Sequence, residues 1–221
     1  MNIYESAAWR HLPEGAMRPG GLKLTEQLLD LAQLPRQSCI LDIGCGLGST
    51  VSKLSALGYQ AMGIDISAGL IEEGRLRFPD QQLLVADAAD IPLPAASFDA
   101  ILAECSLSVM LADKVLRQCW RLLRPHGKLL ISDIYARKAS EVDNTPALGA
   151  CLLTENQWLQ LVGQSGFTKI QFSDCSDVFK EFAIKVIWEY GSLDKLFDCG
   201  QWYNAASAKP GYFLLICEKE V

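Results

Sequence analysis

Leu41-Asp42-Ile43-Gly44-Cys45-Gly46-Leu47-Gly48-Ser49-Thr50 is the stretch on which the reading of this chain turns. An apolar run, Cys39-Ile40-Leu41, leads into it and suits a strand buried on both faces. The run stops at an acid, and glycines then occupy every second position. Glycine suits a tight loop because it tolerates positive φ and brings no Cβ, so another group can approach the main chain closely. The segment from Thr50 to Leu57 reads as a helix closed by Gly58. The loop therefore opens onto a helix N-terminus whose free N–H groups can hold a negative group.

Spacing separates the possible ligands. A dinucleotide loop has the pattern G-x-G-x-x-G, whereas counting from Gly44 gives G-x-G-x-G, with Ser49 at the place of the third glycine. With Asp42 two residues before Gly44, the stretch resembles instead the first motif of class I S-adenosylmethionine (SAM) dependent methyltransferases, D/E-x-G-x-G-x-G.

Two further acids follow apolar strands in the same way. Ala61-Met62-Gly63-Ile64 ends in Asp65, and a carboxylate at the end of the strand beside the first is placed to accept from two ribose hydroxyls. Ile66 offers an apolar surface for an adenine face, and Ser67 caps a helix to about Arg77, which Pro79 ends. Leu83-Leu84-Val85-Ala86 runs into Asp87, which resembles the family acid that accepts from the adenine amine while the N–H of the next residue, Ala88, donates to the ring. Asp90 reads as a loop carboxylate. Ser97 to Ser106 reads as a fourth strand, and the resemblance implies that its exit faces the reacting methyl, which brings Glu104 and Cys105 into the candidate set. Leu123-Arg124-Pro125-His126-Gly127-Lys128-Leu129, running on to Asp133, resembles the family element L-x-P-G-G-x-L-x-x-x-D, with His126 in place of its first glycine. His126 is expected to be exposed in a turn.

The resemblance covers residues 38 to about 172 and the last strand. It implies a doubly wound α/β fold, Rossmann-like, with seven strands, mostly parallel, and the last strand antiparallel. Thr154-Glu155-Asn156-Gln157 is a capping box opening a helix, Phe167 to Phe172 alternates as a sixth strand, and Tyr212 to Cys217 is the last. Thr25 is expected to cap a helix whose face carries Leu28, Leu29 and Leu31. One domain, 1–221, is expected: residues 1–37 as N-terminal lid and helices, 38–173 as cofactor-binding core, 174–209 as an aromatic helical insertion over the acceptor pocket, and 210–221 as the last strand.

Composition narrows the function. A chain of 221 residues, half of them hydrophobic, is large enough for one sizeable core. A formal charge of −6 without a basic run argues against a nucleic-acid partner. Neither a membrane span nor a signal peptide is legible, so the expectation is a cytoplasmic protein, monomer or homodimer, acting on a small-molecule acceptor. Eight scattered cysteines show no metal or disulfide spacing, so no metal site is assigned, and Cys39, Cys119 and Cys217 are expected in the core.

Cys105-Ser106-Leu107-Ser108, Ile131 to Tyr135 and Leu148-Gly149-Ala150-Cys151 are similar to the branch containing arsenite methyltransferases, which binds a trivalent arsenical through thiolates. Trp188 to Gly191 stands where that branch has another cysteine, which Cys175 or Cys199 would have to replace. The sequence thus leads to SAM as cofactor, held by Asp42, Gly44, Cys45, Gly46, Asp65, Ile66, Asp87, Ala88 and Glu104, with Cys105 and Cys151 facing an unidentified acceptor. The alternatives are a metalloid or thiol methyltransferase, an NAD(P)-binding oxidoreductase, and a SAM-binding protein without turnover.

Overall fold

The computed structural model describes residues 18–138, 152–190 and 209–220, without the side chains of 189 and 190. Helix α1 spans Gly21–Ala32, strand β1 Cys39–Ile43, α2 Ser49–Ala56, β2 Gln60–Asp65, α3 Ala68–Arg77, β3 Gln82–Val85 and β4 Phe98–Glu104. A 3-10 turn, Leu107–Val109, precedes α4 (Ala112–Leu122). Strand β5 (Leu123–Ala136), α5 (Glu155–Gln164), β6 (Phe167–Asp174), α6 (Ser176–Tyr190) and β7 (Pro210–Lys219) complete the described elements.

The seven strands form one sheet in the order β3-β2-β1-β4-β5-β7-β6. Strands β1 to β5 run parallel, whereas β7 is antiparallel to both β5 and β6. The order reverses direction at β1, and ligands of open α/β sheets bind outside the carboxyl ends of the strands at such a reversal. The glycine loop leaves β1 at that point.

Strand β1 is buried on both faces because helices cover both. On one face Ile40, Ala100, Leu102, Leu130 and Leu214 pack against Leu24, Leu28 and Leu29 of α1, Leu54 of α2 and Phe179 of α6. On the other, Leu41, Ile43, Ile101, Leu129 and Phe213 pack against Val115, Leu116 and Cys119 of α4 and Trp158 and Val162 of α5. The Ser67 hydroxyl caps α3 by accepting from Leu70 N–H, and the Thr154–Gln157 capping box opens α5.

Four expectations need correction. Thr25 is not a cap: α1 begins at Gly21, behind a left-handed Gly20, and Thr25 is fully buried one turn inside it. The turn at Arg18 to Gly21 starts the helix earlier than the Thr25 signal suggested. Leu31 is exposed, because the buried face of α1 is carried by Leu24, Leu28, Leu29 and Ala32. Cys39 is only half-buried at the start of β1, its thiol bonded to Gln60, whereas Cys119 and Cys217 are core residues. The segment Arg124 to Gly127 is an irregularity within β5 rather than a turn before it, displacing the β4–β5 register between Phe98 and Ala100. His126 lies there at φ 60°, exposed and hydrogen-bonded through Nδ1 to Glu218. A side chain thus occupies the left-handed position that a glycine fills more easily.

Residues 1–17 of the expected lid, the Leu148 to Cys151 segment, and Cys199 with the rest of 191–208 lie outside the described residues. Of the expected insertion, α6 buries Phe179 and Val186 and exposes Ile184, Ile187 and Trp188.

Candidate cofactor site

Gly44, Gly46 and Gly48 all adopt positive φ, at 74°, 54° and 84°. A Cβ on Gly44 would come within 2.7 Å of Ser106 Cβ, and one on Gly48 within 2.8 Å of Leu83. The loop is fastened from below: Gly44 N–H and Cys45 N–H both donate to Ile64 O, at 2.8 and 3.0 Å, and Ser106 Oγ donates to Ile43 O at 3.1 Å. No side chain caps α2 behind Gly48, so the helix presents its first turn to the loop.

Asp65 closes the cradle from the neighbouring strand. Its Oδ2 accepts from Gly46 N–H at 2.9 Å and its Oδ1 from Ser67 N–H at 2.9 Å. Each oxygen keeps lone-pair capacity for a ligand hydroxyl, because a carboxylate offers about four acceptor sites. Ile66, next along, is 64% exposed, an apolar surface open beside the acid. One strand further out, Asp87 is exposed and accepts from Ala89 N–H at 2.8 Å, which fixes the turn that buries Ala88.

Asp42 is buried, and its carboxyl is pushed up to about 8 by burial, then by Glu104, with Arg18 pulling it back and Asp65 adding to the rise. Glu104 does not stand free at the cleft. Burial raises its carboxyl, and it pairs with Arg18, whose Nη2 is 2.6 Å from its Oε2. It also accepts from Thr25 Oγ1 at 3.1 and 3.2 Å and from Ser132 Oγ at 3.4 Å. Asp133, raised to about 6 by burial, accepts from Ser108 and Ile134 N–H and ties the end of β5 to the turn after β4.

A glycine loop and two acids, Asp65 and Asp87, thus stand at the carboxyl ends of β1, β2 and β3, adjacent strands of the sheet. The model of the family described as "Methyltransferase domain" matches residues 41–131, which contain all three. The chain is a class I SAM-dependent methyltransferase. The methyltransferase is 29% identical over 162 residues to the uncharacterized methyltransferase YodH of Bacillus subtilis, covering 69% of this chain and 70% of that one. It is 30% identical over 173 residues to methyltransferase GfsG of Streptomyces halstedii, covering 71% and 62%. Its fold matches the Haemonchus contortus phosphoethanolamine N-methyltransferase 2 solved with SAM at a TM-score of 0.78, with 19% identity. That match takes in 99% of this chain but 57% of the worm chain.

Of the residues expected from sequence, Asp42, Gly44, Cys45, Gly46, Asp65 and Ile66 gather at the β1–β2 edge of the methyltransferase, and Asp87 with Ala88 at β3. Cys45 packs inward: a Cβ at Gly63 would meet its Sγ at 2.7 Å, and burial raises its thiol. Cys105 also points inward. It takes φ 53°, its N–H donates to Ser132 O at 2.6 Å, and its thiol is buried and raised by burial and by Asp133. Among the described residues no three His, Cys, Asp or Glu side chains gather to hold a metal ion.

Sequence reasoning missed Arg18 and the buried role of Thr25. The signal for Thr25 was present, a hydroxyl on the same helical face as Leu28, Leu29 and Ala32.

Proposed function

We propose that the enzyme methylates a small-molecule acceptor, with Asp65 holding the ribose, Asp87 and the Ala88 N–H reading the adenine, Ile66 packing on its face, and the bare main chain of Gly44 to Gly46 admitting the methionine part. The observation that carries this reading is the double use of Asp65, which fastens the glycine loop through Gly46 while keeping acceptor capacity. The residues fit the group: three left-handed glycines turn the chain tightly beside a buried acid, and an exposed isoleucine flanks the ribose acid. Asp42 complements the ammonium of the methionine part, since a buried carboxyl raised to about 8 gains most from a cation brought against it.

SAM, when bound, supplies a methyl already activated by its sulfonium. The protein's own share is alignment and exclusion of water, with a general base needed only for an acceptor that arrives protonated. The curated relatives support a small-molecule acceptor: they include a phosphoethanolamine N-methyltransferase, a sterol 4-C-methyltransferase and demethylmenaquinone methyltransferases. Their differences mean that likeness alone does not pass one acceptor to this chain. Action in the cytoplasm, as monomer or homodimer and without nucleic acid, belongs to the same proposal. It is supported by the net charge of −6 and by the absence, among the described residues, of a helix long and apolar enough to cross a membrane.

The arsenite reading stands second. It is supported by Cys105 at the exit of β4, but it requires that thiol to turn from its buried position and ionise. Incubation with methyl-labelled SAM and a panel of amines, alcohols, thiols and arsenite, read as S-adenosylhomocysteine formed, tests both. Turnover with none of them would leave a binding protein.

A further inference from the structure

The strand register aligns a row of polar side chains on the sheet face covered by α1, at its carboxyl edge. Asp42 stands opposite Leu102, so Glu104, two residues on, projects from the same face. Ser132 is the register partner of Glu104. Tyr212, two residues from Leu214, the partner of Ser132, also projects there and donates its hydroxyl to Ser132 Oγ at 3.2 Å. Arg18, just ahead of α1, reaches into this row. Its Nη2 donates to Thr25 Oγ1 and pairs with Glu104, its side chain is only 10% exposed, and its Nε is buried without a hydrogen-bond partner among the described residues.

Such a network is costly to bury. An ion pair withdrawn from water often contributes less to stability than an apolar pair of the same size, and an unpartnered donor costs more. Two carboxyl groups share this layer beneath the glycine loop, and among the described residues Arg18 is the one cation that acts on both. The charged and titratable groups acting on Asp42 are Glu104 on β4, Arg18 before α1 and Asp65 on β2. Those acting on Arg18 are Glu104, Tyr212 on β7, Asp42 and Cys105.

We propose that Arg18 is a positioning residue of the cofactor site: it fixes Glu104 in the layer under the loop and supplies the positive charge that lets Asp42 meet a cationic ligand group as a carboxylate. This rests on the reading of Asp42 given above. The α1 face is therefore part of the site, and the start of the helix sets the charge of an acid on β1.

The test is the affinity for S-adenosylhomocysteine, measured by calorimetry from pH 5.5 to 9, beside thermal melts. Four variants of the full chain are compared with the wild type: Arg18→Met, Arg18→Lys, Glu104→Gln and Asp42→Asn. The acid limb of the profile belongs to the protein, and the ligand amine contributes equally to every variant. Arg18→Met should move that limb upward by about one pH unit or more and weaken binding at pH 7 by about tenfold. Glu104→Gln should move it downward, and Arg18→Lys should restore most of the wild-type profile. A lowered melting temperature with an unmoved limb in Arg18→Met would reduce Arg18 to a packing role and overturn the proposal. If Arg18→Met does not fold, an unmoved limb in Glu104→Gln overturns it equally. Wild-type affinity in Asp42→Asn would instead remove the assignment of Asp42 itself, and the role of Arg18 with it.

Discussion

The two faces of the sheet solve different problems at the same strands. On the face under α4 and α5, the carboxyl half of β5 and the amino half of β7 are packed with rings: Phe213 stacks on Phe172 at 4.8 Å, and Tyr135 meets both edge-on at 5.3 and 5.9 Å. Trp158 closes on Phe213 at 5.3 Å. On the face under α1, the same level of the sheet holds Asp42, Glu104, Ser132 and Tyr212 around Arg18. Each face buries one nitrogen without a partner among the described residues, Trp158 Nε1 and Arg18 Nε. The ring-packed face gains dispersion and hydrophobic burial, and its buried acid at this level, Asp133, is held by the N–H groups of Ser108 and Ile134. The polar face gives up some of that stability to hold charge beside the glycine loop, as expected where a ligand rather than the core is served.

The contrast can be broken from either side. Phe213→Ala should cost about 3–5 kcal/mol, the usual penalty for emptying a buried aromatic site, and should appear in chemical denaturation while SAM affinity of the folded fraction stays close to wild type. Asp65→Ala with Asp87→Ala should do the reverse. Loss of the ribose and adenine acceptors should weaken SAM binding about 100-fold or more by calorimetry, with a smaller loss of stability. Unchanged affinity in that double variant would remove the site assignment.

Asp42 sharpens the comparison through pH. Its folded value of about 8 lies above the ordinary carboxylate value of 3.8, so the folded free protein holds a proton that the unfolded chain releases. Its contribution is fully present below about pH 4 and is lost as pH rises towards 8, with a slope of at most about 1.4 kcal/mol per pH unit. Asp42→Asn should flatten that part of the stability profile, read from urea melts between pH 5 and 8. The smallest effect is expected at His126, far from both faces' centres. His126→Gly relieves a left-handed backbone and loses only an exposed bridge to Glu218, so stability should change by less than about 1 kcal/mol, in the stabilising direction.

Much of this was legible because it is local. An acid after an apolar run and glycines at alternate positions dictate the strand–loop–helix around Gly44. Ser67 and Thr154 announce their helices by side chains that bond three residues on, and Asp65 and Asp87 lie at strand ends that periodicity alone marks. Strand lengths were underestimated where pairing rather than propensity sets them: β5 and β7 run on to Ala136 and from Pro210 because they pair with each other along that whole length.

What sequence could not show is what depends on partners distant along the chain. Nothing near Arg18 marks it as buried, because its partner Glu104 comes from the fourth strand. Glu104 reads as a cleft acid until the register with Ser132 and the packing of α1 turn it towards Thr25. Cys105 reads as an acceptor-facing thiol, whereas in the fold it is buried, at a φ of 53°. The sequence alone marked the strand, glycine loop and helix around Gly44, since backbone conformation and hydrogen bonding over a few residues decide that. The tertiary structure alone decided which buried carboxylate is neutralised and by what, since desolvation and charge pairing depend on distances that only the assembled sheet and its covering helix define.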